Sequence, residues 1–422
     1  MTSVVVIGAG LAGLQSAWFL AREGMDVTVL ERLEAVGSET SYANGGLLTP
    51  SHAAPWNSPG VWKVLLRSIG NEAAPVLFRP SALPLFWRWG IAFLRHSTPE
   101  RFRRIIEANV RLSNLSMSEL QGIRDVMEDT FEHRSNGTMM VYRSQASLDR
   151  GIANAGMMER HGVACRILDQ EGVVEVEPAL QAGAQGILGG VAFPDDESGN
   201  AHLYCRALAQ ELVTQGVELR LGCEVRSMRI EDARVRAVET DSGSIEPDIV
   251  VLAGGIFSPH LTRAIGFDLP IRPVKGYSLT FSVEGWNQSP QVPVVDDDLH
   301  VGLTPLGTRL RAVGSAEFTG YDKRVNPQRI RMLRDIAQRL YPEAAPYLNG
   351  NTEQLEWAGL RPMTPDCLPI VGPSPVENLF LNTGHSYLGW TTGAGTGRLV
   401  ADAILGRDPG IDTGPYAYER FL

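Results

Sequence analysis

The chain has 422 residues, 44% of them hydrophobic and 20% charged, which is typical of a soluble globular protein large enough for two domains. Its formal net charge of −10, without any long basic run, argues against a general affinity for nucleic acid or anionic lipid. The four cysteines lie far apart without a CxxC pair, so the sequence predicts no disulfide framework and no metal site, and it favours a reducing cytoplasm. We expect neither a signal peptide nor a membrane-spanning segment, because no basic stretch precedes an apolar run and no apolar run reaches ~18–20 residues.

The first 32 residues predict a strand, a helix and a second strand. The stretch "SVVVIGAGLAGLQSAWFLAREGMDVTVLER" opens on a β-branched run, which Gly8, Gly10 and Gly13 follow in GxGxxG spacing. In such a unit the first glycine permits a tight turn, the second admits a pyrophosphate to the backbone, and the third lets helix and strand pack closely. Glu31 closes the second strand, where a carboxylate accepts hydrogen bonds from ribose hydroxyls. The pattern predicts a dinucleotide site, with NAD and FAD both open.

The remaining elements predict an α/β protein (α+β, two domains) in which one domain interrupts the other twice. A helix at about 202–215 and the strand "DIVVLAGG" resume the first sheet. The stretch from 80 to 120 is predicted to be helical, and "TMMVYRS" is predicted to be a strand. Residues 266–354 alternate like antiparallel strands and include the helix "PQRIRMLRDIAQRLY". We expect a Rossmann-like cofactor domain (1–55, 190–265 and 355–422) and an interleaved substrate domain on a mostly antiparallel sheet (56–189 and 266–354).

Six stretches carry a family resemblance from one end of the chain to the other. They are "VIGAGLAG", "ETSYANGG", "AAPWNSPG", "PVKGYS", "GLRPMTPD" and "NLFLNTGHSYLGWTTGAGTG". In this order they resemble flavoproteins of the D-amino-acid oxidase superfamily, and within it the bacterial D-amino-acid dehydrogenases. The resemblance implies FAD rather than NAD, and oxidative deamination of a D-amino acid. A hydride would leave Cα for flavin N5, and the imine would hydrolyse to a 2-oxo acid.

The resemblance also implies which residues contact the FAD. Reduced flavin is negatively charged at one edge, and a glycine-bare helix start brings backbone N–H groups and a positive dipole end against it. The alternatives are a glycine-rich loop that caps a surface helix, and ordinary turn residues in the loop after the second strand. The implied contacts are Gly8, Gly10, Leu11, Ala12, Gly13, Glu31 and Arg32 in the first unit; Ser41, Ala43, Asn44, Gly45 and Gly46 in the next loop; Val225, Gly254 and Gly255; and Gly384, His385, Leu388, Gly389, Trp390 and Thr391 along the flavin.

Substrate recognition calls for a cation that faces a carboxylate. Arg361 in "GLRP" is placed where the oxidase relatives have their carboxylate-binding arginine, and a planar fork matches two oxygens. Tyr277 would donate a hydrogen bond to the carboxylate, and His52 would accept a proton from the amine. The alternatives are a structural salt bridge for the arginine and a packing role for the other two.

Several functional questions stay open at the level of the sequence. Ser386 and Tyr387 replace small residues of the dehydrogenases, and Pro305 replaces an expected arginine, so a cyclic or N-substituted substrate of the D-proline or sarcosine type is an alternative. Gly359 stands where covalent relatives have a flavin-binding cysteine, which implies non-covalent FAD. A non-catalytic FAD-binding subunit is the alternative of another class.

The electron acceptor and the location also stay open. The acceptor is a quinone, oxygen or a protein, and the oligomeric state is not predicted. Residues 74–95 mix Phe, Leu and Trp with Arg, as an interfacial helix would. The other interpretation is a core-facing helix whose arginines point outward. We expect a cytoplasmic protein, with peripheral contact to the inner face of the membrane as the open alternative.

Overall fold

The computed structural model describes residues 1–72, 74–127, 131–350 and 353–422. Within these residues the helices are α1 (Leu11–Arg22), α2 (Val61–Arg67), α3 (Leu83–Arg95), α4 (Pro99–Arg124), α5 (Gln145–Glu159), α6 (Gln170–Val176), α7 (Ala201–Thr214), α8 (Ser258–Ala264), α9 (Pro327–Leu340), α10 (Ala345–Asn349) and α11 (Gly393–Leu405). The strands are β1 (Ser3–Ile7), β2 (Asp26–Leu30), β3 (Leu47–Leu48), β4 (Val76–Phe78), β5 (Thr138–Tyr142), β6 (Arg166–Asp169), β7 (Gly189–Phe193), β8 (Glu197–Ser198), β9 (Glu218–Arg220), β10 (Val225–Glu231), β11 (Arg234–Thr240), β12 (Gly243–Ile245), β13 (Ile249–Leu252), β14 (Arg272–Ser282), β15 (Val294–Asp296), β16 (Val301–Leu306), β17 (Arg309–Phe318), β18 (Gln354–Met363), β19 (Ile370–Pro373) and β20 (Leu379–Thr383).

A six-stranded sheet in the order β19-β20-β13-β1-β2-β9 forms the first half of the molecule. Its β20, β13, β1, β2 and β9 run parallel, and β19 is antiparallel at the edge. The predicted strand–helix–strand unit and the return of the chain to this sheet at β13 are confirmed. Helices α1, α7 and α11 share a hydrophobic core with one face, while the β10-β11-β12 sheet packs through Met228 and Val238 on the other. Both faces are covered, as a parallel sheet requires.

A second, mixed sheet of nine strands forms the other half. Its order is β18-β14-β17-β16-β15-β5-β7-β6, with β4 added beside β17. All of its pairs are antiparallel except β15 with β5 and β17 with β4, so the prediction of a mostly antiparallel sheet is confirmed. Helix α9 covers one face with Ile330 and Leu333.

Two strands that the predicted domain division assigned to the cofactor domain lie in the nine-stranded sheet instead. Strands β7 and β18 belong to the nine-stranded sheet, although residues 190–265 and 355–422 were assigned to the cofactor domain. Helix α4, from the substrate segment 56–189, packs Leu112 and Ile105 into the same core as Leu14 of α1. Helical periodicity shows that α4 has an apolar face but not which core that face joins. The division into two domains stays a proposal, with its joins placed after β7 and β18.

Among the described residues, no helix combines the length and the apolar composition that are needed to cross a membrane.

Candidate active site

The carboxyl ends of four parallel strands meet at one edge of the first sheet. Gly8 follows β1, Glu31 follows β2, Gly254 follows β13 by two residues, and Gly384 follows β20. In an open parallel sheet, ligands bind at this edge because the loops that leave the strands surround a crevice. The cofactor residues predicted from scattered stretches of sequence therefore start from a common place in the fold.

The glycines of the first turn are explained by close backbone contacts. Gly8 has φ +107°, and a Cβ there would lie 2.8 Å from the carbonyl oxygen of Ala253. A Cβ at Gly13 would lie 1.8 Å from the oxygen of Gly8, so only glycine lets α1 pack against β1. The packing role predicted for Gly13 is thus present in the structure. Gly10 precedes α1 as an N-cap without a side chain, and the N–H of Leu11 makes one long hydrogen bond, to the Ser41 hydroxyl at 3.4 Å.

Glu31 is held beside that helix start by two backbone donors. Its carboxylate accepts hydrogen bonds from the N–H of Ala9 at 2.9 Å and from that of Leu33 at 3.0 Å. These contacts fix the carboxylate at the strand end, and each oxygen keeps a lone pair for a further donor. The geometry suits the ribose role predicted for Glu31.

A cavity of about 690 Å³ runs from these strand ends to strands β14 and β18 of the second sheet. Every residue predicted to contact cofactor or substrate lines it, apart from Gly13 and Gly384. Gly384 has φ +72° and shapes the turn after β20, where a Cβ would meet the Thr364 methyl group at 2.9 Å. The cofactor roles themselves stay predictions. The predicted lining residues are Gly8, Gly10, Leu11, Ala12, Glu31, Arg32, Ser41, Ala43, Asn44, Gly45, Gly46, His52, Val225, Gly254, Gly255, Tyr277, Arg361, His385, Leu388, Gly389, Trp390 and Thr391.

The loop at residues 44–46 is fixed by a buried arginine that sequence reasoning missed. Arg311 of β17 donates from Nη1 to the carbonyl oxygen of Asn44 at 3.1 Å and from Nε to Thr280 at 2.9 Å. Thr304 donates to the carbonyl oxygen of Gly45 at 2.7 Å. Desolvation lowers the pKa of Arg311 to about 10, so it stays charged at neutral pH. The only sequence signal was an arginine inside an apolar strand pattern.

The stretch after β20 places polar and aromatic groups along the cavity. His385 Nε2 lies 3.0 Å from the Thr396 hydroxyl, and burial lowers its pKa to about 4, so the imidazole is neutral at pH 7. Thr391 accepts from the backbone N–H of Thr49 at 3.0 Å. The Trp390 ring packs 5.7 Å from that of Tyr204, and its Nε1 is buried without a partner among the described residues.

Arg361 lies at the end of the cavity formed by the second sheet. Its Nη1 donates to the carbonyl oxygen of Ser315 at 3.1 Å, and the guanidinium lies 5.4 Å from the centre of the Trp56 ring. No carboxylate of the described residues lies within 4 Å of it, so the structural salt bridge considered as an alternative is not formed there. Desolvation lowers the pKa of Arg361 to about 10, which leaves it protonated at neutral pH. A charged, unneutralised guanidinium in a cavity calls for an anionic ligand.

Two aromatic side chains, Trp56 and Tyr387, lie beside this arginine. Trp56 stacks on Tyr387 at 5.4 Å with their planes 12° apart, and the Tyr387 hydroxyl donates to the carbonyl oxygen of Ala54 at 2.9 Å. Both rings line the cavity together with Gly276. Tyr387, which replaces a small residue of the dehydrogenases, thus lies in the pocket wall. Trp56 stands in the matched stretch "AAPWNSPG", but the sequence assigned it no role.

The role predicted for Tyr277 is not supported by its geometry. Its hydroxyl donates to Glu317 in a short hydrogen bond, and Lys275 lies 3.6 Å from the same carboxylate. In β14, Val274 pairs with Arg361, and Tyr277 lies three positions further along, so the two side chains leave opposite faces of the sheet. Tyr277 packs in the core beneath α9. Its hydroxyl is therefore committed to Glu317 and does not face a ligand beside Arg361.

His52 lines the cavity four residues before Trp56. Burial lowers its pKa to about 4, so the ring is neutral at pH 7. Its Nδ1 lies 3.5 Å from the Ser51 hydroxyl, and its Nε2 is buried without a partner among the described residues. An unpartnered ring nitrogen in a cavity is able to accept a proton or a hydrogen bond from a ligand.

The strand-end glycines and the fixed carboxylate of Glu31 in one cavity are typical of a dinucleotide-dependent oxidoreductase. A family model described as FAD dependent oxidoreductase, the DAO family, matches residues 3–403. The chain belongs to this family.

Known proteins of similar sequence and fold span the whole chain. A D-amino acid dehydrogenase of Paramagnetospirillum magneticum is 41% identical over 420 residues, which cover 99% of this chain and 98% of the relative. A D-amino acid dehydrogenase of Granulibacter bethesdensis is 36% identical over 418 residues, 99% of both chains. The crystal structure of glycine oxidase from Geobacillus kaustophilus superposes with a TM-score of 0.75 at 22% identity, covering 100% of each chain, and so shares the fold.

The residues that are present fit the FAD of this family. A flavin dinucleotide needs a helix N-terminus free of side-chain caps, an acceptor for ribose hydroxyls and a long cavity, and α1, Glu31 and the cavity supply these three features. Helix α11 also begins without a side-chain cap, at Gly393. Beside that helix start, the Trp390 Nε1 donor is buried and has no acceptor in the part of the chain that the structure describes.

Proposed function

We propose that the protein oxidises a D-amino acid at its Cα–N bond to an imine, which water then hydrolyses to the 2-oxo acid. The observation that carries this proposal is Arg361, a charged guanidinium that has no carboxylate partner among the described residues and lines the same cavity as the four strand ends. Relatives named D-amino acid dehydrogenase, similar over 99% of the chain, support the substrate class.

The side chains around Arg361 bind and orient the substrate in this proposal. FAD, when bound, supplies the two-electron acceptor for the Cα hydride. Arg361 donates two parallel hydrogen bonds to the carboxylate, which fixes the substrate by two points of contact. Trp56 and Tyr387 form a flat apolar wall beside it and exclude water. His52, as a neutral imidazole, takes a proton from the amine.

The proposed FAD contacts follow the order of the cavity. The α1 N-terminus at Gly10 and Leu11 faces the pyrophosphate, and Glu31 accepts from the ribose. The loop at Asn44 and the start of α11 border the ring. The FAD is held without a covalent bond, since Gly359 leaves no sulfur at the position of the covalent relatives.

A cyclic amino acid of the D-proline type is the second candidate substrate. The observation that favours it is the stacked pair of Trp56 and Tyr387 next to Arg361, because a flat wall suits a saturated ring that carries its own carboxylate. The chemistry at Cα is the same, with a secondary amine in place of a primary one.

We propose a quinone as the electron acceptor, reached by peripheral contact with the inner face of the cytoplasmic membrane. The exposed side of α3 carries Leu83, Trp87, Ile91 and Leu94, while Trp89 and Phe93 are buried on its other side. Residues 74–95 are not one helix, since 76–78 form β4 and α3 covers only 83–95. Within α3, the exposed side fits the interfacial interpretation and the buried side fits the core-facing one. Trp89 Nε1 donates to the carbonyl oxygen of Met363 at 3.1 Å, which joins α3 to the strand of Arg361.

The experiment that tests the proposed reaction is anaerobic reduction of the bound flavin. D-amino acids, their L-enantiomers, D-proline and sarcosine are mixed separately with the holoenzyme, and the flavin absorbance near its long-wavelength band is followed. Bleaching by D-amino acids and not by L-amino acids is expected. Bleaching confined to D-proline would favour the second candidate, and no bleaching by any of these compounds would overturn both.

A further inference from the structure

Asp196 is a buried carboxylate that the reaction as described leaves unused. It lies between β7 and β8 with 2% of its surface exposed. Ser51 donates its hydroxyl to Oδ2 in a short hydrogen bond and its backbone N–H to Oδ1 at 3.4 Å, and Thr138 donates to Oδ2 at 2.5 Å. Among the described residues no Lys or Arg lies within 4 Å of it. A buried carboxylate with only neutral donors is destabilised in its charged form.

Ser51 connects this carboxylate to the imidazole of the cavity. Its Oγ lies 3.5 Å from His52 Nδ1. Because Ser51 has a single hydroxyl proton and gives it to Asp196, its oxygen acts as the acceptor for an N–H at Nδ1. That tautomer leaves the lone pair of His52 on Nε2, which has no partner among the described residues. The order is carboxylate, hydroxyl and imidazole, and the residue that carries the imidazole lines the cavity.

We propose that His52, Ser51 and Asp196 form a proton relay that deprotonates the substrate ammonium group, an inference that rests on the proposed function. The ammonium N–H bond breaks as a bond forms at His52 Nε2. The Nδ1 proton passes to Ser51 Oγ, and the hydroxyl proton of Ser51 passes to Asp196 Oδ2. The amine becomes neutral, Asp196 becomes protonated, and no electrons move in this step. His52 contacts the substrate, while Ser51 and Asp196 act through it.

The relay solves a difficulty that His52 has by itself. Burial lowers the pKa of His52 to about 4, so the isolated ring is a weak base for an ammonium group. Burial raises the pKa of Asp196 to about 7, and the neighbouring carboxylate of Asp195 adds to this rise. Proton transfer is most effective when the final acceptor has a pKa near the working pH. The ring therefore passes the proton on to a better acceptor.

Of the two acidic neighbours of Asp196 in sequence, Asp195 raises its pKa and Glu197 belongs to a separate cluster. Glu197, the next residue, forms an ion pair with Arg124 and lies 3.0 Å from His133. These groups balance one another and make no hydrogen bond to Asp196. Since Asp196 must be ionised to accept the proton, we expect kcat/KM to rise with pH through about 7 and to fall below it.

The test compares pH profiles of kcat/KM in holoenzyme variants, with a D-amino acid and an artificial electron acceptor. Asp196→Asn and Ser51→Ala are each expected to abolish the limb near pH 7 and to lower kcat/KM at pH 8 by about 10²-fold, the lower end for a positioned general base. Thr138→Val is the matched control, because Thr138 also donates to Asp196 but stands outside the chain to His52. Losing that donor raises the pKa of Asp196, so its limb is expected to persist and to move to higher pH.

The outcomes separate the relay from the reaction. FAD content and circular dichroism identify any variant that fails to fold, and Ser51→Ala tests the relay if Asp196→Asn does not fold. A wild-type enzyme that oxidises D-amino acids, with variants that keep its rate and its pH limb, would overturn the relay alone. Wild-type holoenzyme that no D-amino acid reduces would overturn the proposed function and the relay with it.

Discussion

The guanidinium of Arg361 lies in the space that a side chain at Gly276 would occupy. A Cβ built on Gly276 would be 2.3 Å from Nη1 and 2.4 Å from Nη2 of Arg361. Gly276 belongs to β14 and Arg361 to the adjacent β18, and Val274 is the residue paired with Arg361. A glycine at 276 is what allows a group of this size to lie against the sheet beside the cavity.

Gly276→Ala is expected to move the guanidinium and to impair substrate binding while FAD stays bound. The Cβ contact lies far below van der Waals distance, so the arginine must shift. We expect kcat/KM to fall, mainly through KM, in steady-state kinetics with a D-amino acid. In an Arg361→Ala background the same substitution should have little further effect, since the two act on one group.

The matched control for that experiment is Gly156→Ala in α5, where a Cβ would meet nothing within 4 Å. We expect it to leave kinetics unchanged and to add slightly to stability, because alanine favours helix over glycine by up to ~1 kcal/mol. Equal losses in Gly276→Ala and Gly156→Ala, or additive losses in the double variant, would contradict the positional role of Gly276.

Arg361→Ala is expected to keep its fold and its yellow colour but to lose roughly two or more orders of magnitude in kcat/KM. Truncating one partner of a desolvated charge pair typically removes ~2–5 kcal/mol, and ~1.4 kcal/mol is tenfold in rate. Arg361→Lys should restore only part of this, because a point charge does not reproduce the planar fork. Substrate and its amide, measured on each enzyme, isolate the carboxylate contact. If the substitution slows the amide as much as the acid, Arg361 has a structural role.

Local sequence pattern predicted the parts of the site that local geometry determines. The glycines at 8, 10 and 13 and the acid at 31 sit at fixed offsets within one strand–helix–strand unit, and their contacts in the structure follow from those offsets. Strands β13 and β20 bring their own loops to the same edge because the sheet is parallel. The six stretches of family resemblance added predicted cofactor contacts from parts of the chain far from the first unit.

Features that depend on pairing between distant strands were beyond reach of the sequence. Tyr277 stands one residue from Gly276, yet the alternation of β14 sends its hydroxyl to Glu317 on the other face. Arg311 supports the loop at Asn44 across an interval of 267 residues, and nothing near either residue signals the contact. The membership of β7 and β18 in the nine-stranded sheet was not predicted either, because the partner of a strand depends on the tertiary fold and not on the local sequence.

Acid precipitation is expected to release all of the yellow colour from the protein, because Gly359 offers no sulfur for a covalent bond to the flavin. A Cβ at Gly359 would lie 1.9 Å from the Trp357 ring, so this position does not accommodate a larger side chain without movement of that ring. Absorbance of the supernatant and of the redissolved pellet measures the two fractions.

Cys223 also lines the cavity, and flavin that remains with the pellet of wild type but not of Cys223→Ser would identify it as an attachment point.

The surface formed by α2 and α3 is expected to bind anionic lipid vesicles. Six large apolar side chains are exposed on the two helices, and Ile69 is exposed two residues after α2; the six are Trp62, Leu66, Leu83, Trp87, Ile91 and Leu94. Lys63, Arg67, Arg88 and Arg95 are exposed on the same two helices, and the one acidic residue of 61–95, Glu72, is paired with Arg79 at 2.7 Å. In a chain of net charge −10, this surface combines apolar area with local positive charge, which is what an anionic bilayer surface attracts.

Co-sedimentation of the holoenzyme with phosphatidylglycerol-containing vesicles measures this binding. We expect Trp87→Glu with Ile91→Glu to weaken it at least tenfold, since each added charge opposes insertion of an apolar face and repels the lipid headgroups. The control is Ile167→Glu, because Ile167 is 58% exposed, against 55% for Trp87, but lies on β6. Higher salt and purely phosphatidylcholine vesicles should both reduce binding, as charge attraction is screened or removed.

Equal sedimentation of the double variant and the control would contradict a lipid contact here. If light scattering instead shows a wild-type dimer that only the double variant dissociates, a second copy of the chain covers this surface.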